Sequence, residues 1–324
     1  MRTSHPRLLR LSDGRLLEYA VYGDPRGKPV LYCHGFLGSH HQGALVDACA
    51  RRNGLRVIAP NRPGIGRSSP HKFPVMTAPA ADMAELMDAL GIGEFSVFGA
   101  SGGGCFALSY AFALSHRVRF AGVAGCMAPL DATHNLRHMK MIRRMFLSGC
   151  HDHDRIAGWA LRMLFVFCRR FPRSAYRLLT MTASTPPVTV EVRRRLDTML
   201  YEDYGEVFMQ RNGVRGLIDE VYLYFHWGFD LPEFPQHVPV LLFHGRGDAV
   251  IPWSVARGIA RYIPRCRTFL MPGGHLTFLT DMNALLRTVR RAWDGDAAVL
   301  PAAAGERQPA SDVFCGALMA PSSS

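Results

Sequence analysis

Short runs rich in β-branched and aromatic residues alternate with longer segments of helical periodicity along most of this 324-residue chain. This alternation predicts an α/β protein in which helices wrap a mostly parallel sheet. The first two strands are separated by Ser12-Asp13-Gly14, a turn sequence that favours an antiparallel hairpin. Eight strands are predicted, at residues 7–11, 16–22, 29–33, 56–59, 95–98, 120–124, 239–243 and 267–270.

The alternation breaks in residues 129–235, which are rich in arginine, methionine and aromatic residues and have helical patterns. We predict that this stretch is a helical cap inserted into a core formed by residues 1–128 and 236–293. Residues 294–324 are dominated by Ala, Pro, Gly and Ser, and we expect them to form a flexible tail. Within the cap, three- and four-residue spacing predicts one apolar helix face, formed by Ile156, Trp159, Ala160, Met163, Leu164 and Phe167. We expect this face to pack on the core, and the alternative is a face that binds substrate or a membrane.

The composition limits the classes of partner. The net charge is +12, and arginine supplies 35 of the 38 basic residues, since Lys28, Lys72 and Lys140 are the only lysines. Genome base composition alone can produce such a skew. Neither zinc-finger spacing nor RNP-like strands accompany the arginines, so we expect no nucleic-acid partner.

The termini and the apolar runs bear on location. Residues 1–14 lack the apolar block of a secretory signal, which makes a cytoplasmic location the expectation. The longest apolar run, 156–168, is too short to span a bilayer and contains Arg162, so we expect no transmembrane segment.

The cysteines and histidines argue against a metal site or a disulfide framework. The eight cysteines form no CxxC pair. The histidines that come closest to a metal-binding pattern lack a suitably spaced carboxylate; they are His134, His138, His151 and His153. We therefore expect no metal site and no disulfide framework.

The strongest local signal is the pentapeptide Gly-Ala-Ser-Gly-Gly at 99–103, which follows an apolar strand and precedes the helical run 105–114. It matches G-x-S-x-G, the sharp strand-to-helix turn that exposes a nucleophilic serine. Glycines flank such a turn because side chains there would clash with the neighbouring strand and helix. The helix N-terminus behind the turn favours developing negative charge. Ser101 is therefore the predicted nucleophile.

A serine hydroxyl needs a base within hydrogen-bond reach. His275 follows the last predicted strand through a Pro-Gly-Gly loop, which is expected to present it at the same sheet edge as Ser101. Asp248 follows the strand at 239–243, and we expect it to fix the tautomer of the histidine. The alternative role for Asp248 is an ordinary helix cap near residue 252, and the rival acid is Asp131.

Acyl transfer develops an oxyanion that preorganised backbone N–H donors must meet. The segment His34-Gly35-Phe36 follows an early strand, and its glycine allows a tight loop. We assign the two donors to the backbone N–H groups of Phe36 and Gly102. Taken alone, the His-Gly pair also fits a simple turn at a strand end.

Several segments occur in the order and spacing of one known family: His34-Gly35-Phe36, the loop at 61–68, the pentapeptide at 99–103, Asp248 with Val250 and Pro252, and Gly274-His275. Over residues 8–293 the chain thus resembles the α/β-hydrolase superfamily, in particular its capped serine esterases. The resemblance implies an eight-stranded, mostly parallel sheet, a helical lid after the sixth strand and no cofactor. The family usually has aspartate where this chain has Asn61, and we expect this change to alter local hydrogen bonding but not chemistry.

The predicted function is hydrolysis of a carboxylic ester or related acyl bond through an acyl-enzyme on Ser101, with a small apolar or anionic substrate. Haloalkane dehalogenases and epoxide hydrolases of the family use aspartate as nucleophile, so Ser101 argues against both. Carbon–carbon bond hydrolases keep a serine nucleophile but have a more glycine-rich oxyanion loop than residues 34–40, which argues against that class. Two alternatives stay open: a slow ligand receptor or scaffold with the same fold, and a perhydrolase or acyltransferase using the same three residues.

Overall fold

An eight-stranded sheet forms the centre of the structure, a computed structural model that describes residues 5–130, 154–171, 174, 190–209 and 213–301. The strands are β1 (Arg7–Arg10), β2 (Leu16–Gly23), β3 (Lys28–Cys33), β4 (Leu55–Pro60), β5 (Phe95–Ala100), β6 (Val118–Ala124), β7 (Val240–Gly245) and β8 (Cys266–Met271). Their order across the sheet is β1-β2-β4-β3-β5-β6-β7-β8. Only β2 runs against its neighbours, pairing antiparallel with β1 and β4, whereas the other pairs are parallel. The predicted fold class is confirmed.

Helices cover both faces of the sheet. The helices of the described residues are α1 (Gly43–Arg52), α2 (Ala80–Ala89), α3 (Gly102–Ala113), α4 (Asp154–Arg170), α5 (Val190–Tyr204), α6 (Gly213–Phe225), α7 (Trp253–Tyr262) and α8 (Met282–Trp293). Successive residues of a strand point to opposite faces. Accordingly, Val97 belongs to a core cluster with α2, α3 and α7, and Phe98 belongs to another with α1 and α8. Burial on both faces explains why the central strands read as continuous apolar runs.

Helices α4, α5 and α6 lie between β6 and β7 in the chain and pack on each other through a separate apolar cluster. A π-helical turn, Gly205–Met209, directly follows α5. The cluster includes Phe165 and Cys168 of α4 together with Phe208 and Leu217. Much of the segment for which we predicted a cap, including residues 131–153 and 175–189, lies outside the described residues, so its role as a cap stays a prediction.

The predicted packing of the α4 apolar face is wrong for the residues whose exposure is described. Trp159 is 65% and Met163 50% exposed, whereas Phe165 is 6% and Cys168 0% exposed. The helix is rotated from the expected orientation because Phe165 and Cys168 contact the aromatic residues of α5 and the π-helical turn. Periodicity located the helix but did not identify which of its apolar residues are buried.

The chain stays packed beyond α8. Val299 is fully buried in the cluster that covers one face of the sheet. Arg265 donates to the carbonyl oxygen of Pro301 at 3.1 Å. The flexible tail predicted from residue 294 therefore does not begin before residue 302, and residues 302–324 lie outside the described part of the chain.

Across the described ranges, no helix combines the length and the hydropathy that crossing a membrane requires.

Candidate active site

Ser101 occupies the turn between β5 and α3 with a backbone conformation that residues other than glycine rarely adopt. Its φ is 53° and its ψ is −126°. Its N–H donates to the carbonyl of Ala124 at 2.7 Å, which fixes this conformation from the neighbouring strand. A Cβ added to Gly99 would collide with the backbone of Gly103, and a Cβ on Gly103 would collide with the carbonyl oxygens of residues 33 and 34. The two glycines of the G-x-S-x-G pattern are therefore required by close backbone contacts.

The imidazole of His275 lies between a hydroxyl and a carboxylate. Its Nε2 is 2.8 Å from Ser101 Oγ, and its Nδ1 is 2.8 Å from Asp248 Oδ2. An ionised carboxylate only accepts hydrogen bonds, so Nδ1 carries the proton and Nε2 accepts from the serine hydroxyl. The ring packs over the end of β6, where a Cβ on Gly125 would be 3.1 Å from His275 Cε1.

Asp248 contacts His275 and does not cap the helix that follows, because the N-cap of α7 is Pro252 and receives no side-chain hydrogen bond. Its Oδ1 accepts from the backbone N–H groups of Val250 and Ile251 at 2.8 and 2.9 Å, which closes a turn before α7. Its Oδ2 meets His275. Burial by itself would raise the pKa of Asp248, but the hydrogen bond and charge of His275 and the two backbone donors outweigh it, so that pKa is lowered. The rival acid, Asp131, lies outside the described residues.

His244 lies beneath Asp248 and was not singled out from the sequence. It is fully buried at the end of β7, with Nε2 3.7 Å from Asp248 Oδ2. The same nitrogen donates to the carbonyl of Ile251 at 3.0 Å. Burial lowers the pKa of His244, which keeps the ring neutral beside the carboxylate. The only sequence signal for it was a polar residue among the apolar residues of a strand.

Phe36 and Gly102, the two predicted oxyanion donors, are immediate neighbours. A Cβ on Gly102 would be 3.2 Å from Phe36 Cβ. One residue earlier, a Cβ on Gly35 would be 3.4 Å from the carbonyl oxygen of Ala100 and 3.6 Å from Ser101 Cβ. The loop after β3 thus lies against the turn that carries Ser101.

Arg62 anchors this loop, a contact that the sequence analysis missed. Its Nη1 donates to the carbonyl of His34 at 2.5 Å, and its Nη2 donates to the carbonyl of Gly35 at 2.9 Å. The same Nη2 contacts Glu220 Oε1 of α6 at 2.7 Å, and the hydroxyl of Tyr224 donates to that oxygen as well. The guanidinium lies over the ring of Phe106 at 4.7 Å.

Asn61 makes two side-chain hydrogen bonds at the position where the family usually has aspartate. Its Oδ1 accepts from the backbone N–H of His40 at 2.6 Å, and its Nδ2 donates to Glu18 Oε2 at 3.0 Å. An aspartate could accept the first bond but could not donate the second. The asparagine therefore suits a buried site that already contains the carboxylate of Glu18.

Four aromatic residues of the segment between β6 and β7 could line an acyl pocket only if they shared one surface, and they do not; they are Trp159, Phe165, Trp227 and Phe229. Trp159 points to solvent. Phe165 packs against Phe208, with ring centroids 5.1 Å apart. Trp227 and Phe229 are buried in the core, where Phe229 stacks on Phe112. The apolar nature of the substrate therefore has no support from these four residues.

The fold and these contacts are characteristic of a hydrolase of the α/β-hydrolase class. The family model for the alpha/beta hydrolase fold matches residues 28–281, which is more than half of the chain. The chain belongs to this family.

Similar proteins differ in their chemistry. A proline iminopeptidase from Xylella fastidiosa is 35% identical over 124 residues, which is 34% of this chain and 38% of that enzyme's length. The structure of an esterase from Exiguobacterium antarcticum has a TM-score of 0.62 at 18% identity, covering 89% of this chain and 100% of that one. A structure described as a novel epoxide hydrolase of the superfamily from hot-environment metagenomes has a TM-score of 0.62 at 21% identity, covering 90% and 98%. These proteins are named for different activities, so similarity to them does not identify a substrate.

Proposed function

We propose that the protein is a serine hydrolase that cleaves a carboxylic ester or a related acyl bond through an acyl-enzyme on Ser101. The observation that carries this proposal is the position of His275, which bridges Ser101 Oγ and Asp248 Oδ2 at 2.8 Å each. That bridge joins a nucleophile, a base and the group that orients the base. The roles of Phe36 and Gly102 as oxyanion donors belong to the same proposal.

In the acylation step, Ser101 Oγ attacks the carbonyl carbon of the substrate while His275 Nε2 accepts the hydroxyl proton. Asp248 holds Nδ1–H in place and stabilises the imidazolium. The carbonyl oxygen becomes an oxyanion that the backbone N–H groups of Phe36 and Gly102 receive. As the tetrahedral intermediate collapses, the bond to the leaving group breaks, and His275 Nε2–H protonates the departing oxygen or nitrogen.

Deacylation repeats this chemistry with water as the nucleophile. His275, neutral again, removes a proton from water as the water attacks the acyl carbon. The second tetrahedral intermediate expels Ser101 Oγ, which regains its proton from His275. The products are a carboxylic acid and the alcohol or amine released in the first step.

The relatives make two other bond types worth testing. Epoxide opening through a covalent ester requires a carboxylate nucleophile, and Ser101 cannot form that ester. Cleavage beside an amino-terminal proline requires an anionic group to bind the substrate's positive charge. Glu220 is a buried carboxylate whose partner Tyr224 lies against Gly102. Because Glu220 is already engaged by Arg62 and Tyr224, it favours an ester over such a peptide.

The decisive experiment measures kcat/KM on short, long and anionic aryl esters and on a prolyl aryl amide, using wild type, Ser101→Ala and Ser109→Ala. Ser109 lies on α3, is buried and is outside the proposed machinery, so it is the matched control. We expect ester turnover that Ser101→Ala lowers at least a thousandfold and that Ser109→Ala retains. Full ester turnover by Ser101→Ala would reject the assignment of Ser101 as the nucleophile.

The same experiment separates the alternatives. Turnover of the prolyl amide but of no ester would favour the peptidase. Stoichiometric labelling of Ser101 without turnover would favour a ligand receptor or scaffold. Product analysis with added peroxide or an alcohol would identify a perhydrolase or an acyltransferase, because both release the acyl group to an acceptor other than water.

A further inference from the structure

A second group of ligating side chains lies outside the proposed active site, where the loop after β3 meets α5 and the π-helical turn. His40 and His41 belong to the 3₁₀ turn His40–Gln42, and Glu206 belongs to the π-helical turn. One potential ligand atom from each residue lies within 4.8 Å of the other two. π-helical turns are rare and often occur at functional sites.

One ring nitrogen in this cluster is buried without a hydrogen-bond partner. His40 is only 1% exposed. Its Nδ1 lies 3.2 Å from the hydroxyl of Tyr22, whereas its Nε2 has no partner among the described residues. Oε2 of Glu206 is likewise buried and unpaired in that part of the chain. Leaving buried polar atoms unpaired is costly, so each of these two atoms is expected to have a partner that the described residues do not supply.

In each histidine, Nδ1 also contacts a polar side chain outside the group of three. Tyr22 contacts Nδ1 of His40, and Glu202 Oε2 lies 3.4 Å from Nδ1 of His41. Nε2 of His41 is 3.6 Å from Glu206 Oε1. Metal-binding histidines commonly have this arrangement, in which an outer hydroxyl or carboxylate orients the ring and the second nitrogen faces the metal.

A further carboxylate adds negative charge to the cluster. A Cβ on Gly66 would collide with Glu206 Oε2, with Glu18 Oε2 and with Asn61 Nδ2, so these three atoms surround one small space. Arg67 neutralises part of this charge, since its Nε lies 2.7 Å from Glu18 Oε1. The guanidinium contacts Oε1 of Glu18, whereas Oε2, the oxygen near Glu206, accepts from the backbone N–H of Arg67 and from Asn61 Nδ2. Glu206 Oε2 has no such donor among the described residues.

We propose that His40 Nε2, His41 Nε2 and a carboxylate oxygen of Glu206 form a binding site for one divalent transition-metal ion, with zinc as the best match. Two imidazole nitrogens and one carboxylate are a common set of protein ligands for zinc, and water completes the coordination. Ligand atoms around tetrahedral zinc are about 3.4 Å apart for bonds of about 2.1 Å. The present spacing therefore requires an inward movement of about 1 Å by side chains at the surface end of the cluster.

Such a metal would connect two parts of the fold that hydrogen bonds already join. Asp203 of α5 accepts from the N–H and the hydroxyl of Ser39 at 2.8 and 2.6 Å, and from Gln42 Nε2 at 2.9 Å. The histidines lie between these two residues. Zinc would thus fasten the 3₁₀ turn to the π-helical turn that follows α5, with an effect on stability that is separable from ester turnover.

The test uses the untagged full-length chain after treatment with a chelator. Zinc affinity and stoichiometry are measured by competition with a chromophoric chelator, and Co²⁺ replaces zinc to report coordination by visible absorption. We expect one zinc per chain at this site. His41→Gln and Glu206→Gln should each weaken binding at least tenfold, because each removes one ligand. Both side chains are partly exposed, so we expect the two variants to fold.

His237→Gln and Glu94→Gln are the matched controls. Both residues are exposed and lie outside the cluster, and each variant removes the same chemical group as its test counterpart. They should bind zinc like wild type, and zinc should raise the melting temperature of wild type and controls but not of the ligand variants. Absence of stoichiometric binding, or equal affinity in His41→Gln, Glu206→Gln and wild type, would overturn the proposal and leave His41 as an ion-pair partner of Glu202 and Glu206.

Discussion

Arg62 and Glu220 form a buried ion pair, with Nη2 and Oε1 separated by 2.7 Å, that connects the loop after β4 to α6. Through its two other contacts, the same guanidinium holds the carbonyl oxygens of His34 and Gly35. The backbone that leads into Phe36 is therefore fixed by a charge pair whose acid lies 158 positions further along the chain. Stability and the proposed oxyanion donor are coupled at this point.

Glu220→Gln should destabilise the protein by about 3–5 kcal/mol, since it leaves the guanidinium of Arg62 buried without its countercharge. Urea unfolding measures the loss. The control is Glu94→Gln, which breaks an exposed pair with Arg119 and should cost less than about 1 kcal/mol. Equal losses in the two variants would contradict the burial argument.

Much of the fold could be predicted because strand patterns and turn residues are local. Parallel strands end at one sheet edge, so loops after three different strands were expected to bring Ser101, Asp248 and His275 together. The Arg62–Glu220 contact could not be predicted, since it depends on how α6 packs on the core. The same holds for α4, where periodicity places the apolar residues on a helix but tertiary contacts select Phe165 over Trp159.

Asp248→Asn should lower kcat on the best ester by roughly a thousandfold to ten-thousandfold, because the amide no longer fixes the productive tautomer of His275. Steady-state kinetics at pH 7 measures the effect. Asp47→Asn, on α1 and outside the proposed machinery, provides the control. A variant of Asp248 with wild-type kcat would assign the orienting role to another acid.

The lowered pKa of Asp248 also predicts a pH dependence of stability. A carboxyl group with a folded-state pKa below its unfolded value stabilises the fold above the unfolded pKa, and this contribution disappears as the pH falls through the folded pKa. The free energy of unfolding of wild type minus that of Asp248→Asn should be constant at neutral pH and should decrease below about pH 4. Urea titrations at several pH values test this, and a difference that grows on acidification would be inconsistent with the pKa direction.

Gly103→Ala should impair both folding and catalysis, because the new methyl group would collide with the backbone carbonyls of Cys33 and His34. We expect a loss of about 1–3 kcal/mol and a lower kcat, since Ser101 shifts with the turn. Gly93→Ala is the control, because nothing lies within 4 Å of a Cβ at that position. Thermal unfolding and ester kinetics on both variants distinguish local crowding from a general intolerance of alanine.

The rotation of α4 gives the last prediction, in which two aromatic residues of one helix respond oppositely. Phe165→Ala should cost about 3–5 kcal/mol, because its ring packs against Phe208 inside an apolar cluster. Trp159→Ala should change the free energy of unfolding by no more than about 0.5 kcal/mol, since 65% of Trp159 is exposed. Urea unfolding measures the free energy of unfolding of both variants, whose substitutions lie on the same helix. If Trp159→Ala were the more damaging change, the orientation first expected from periodicity would be restored, with the Trp159 face packed on the core.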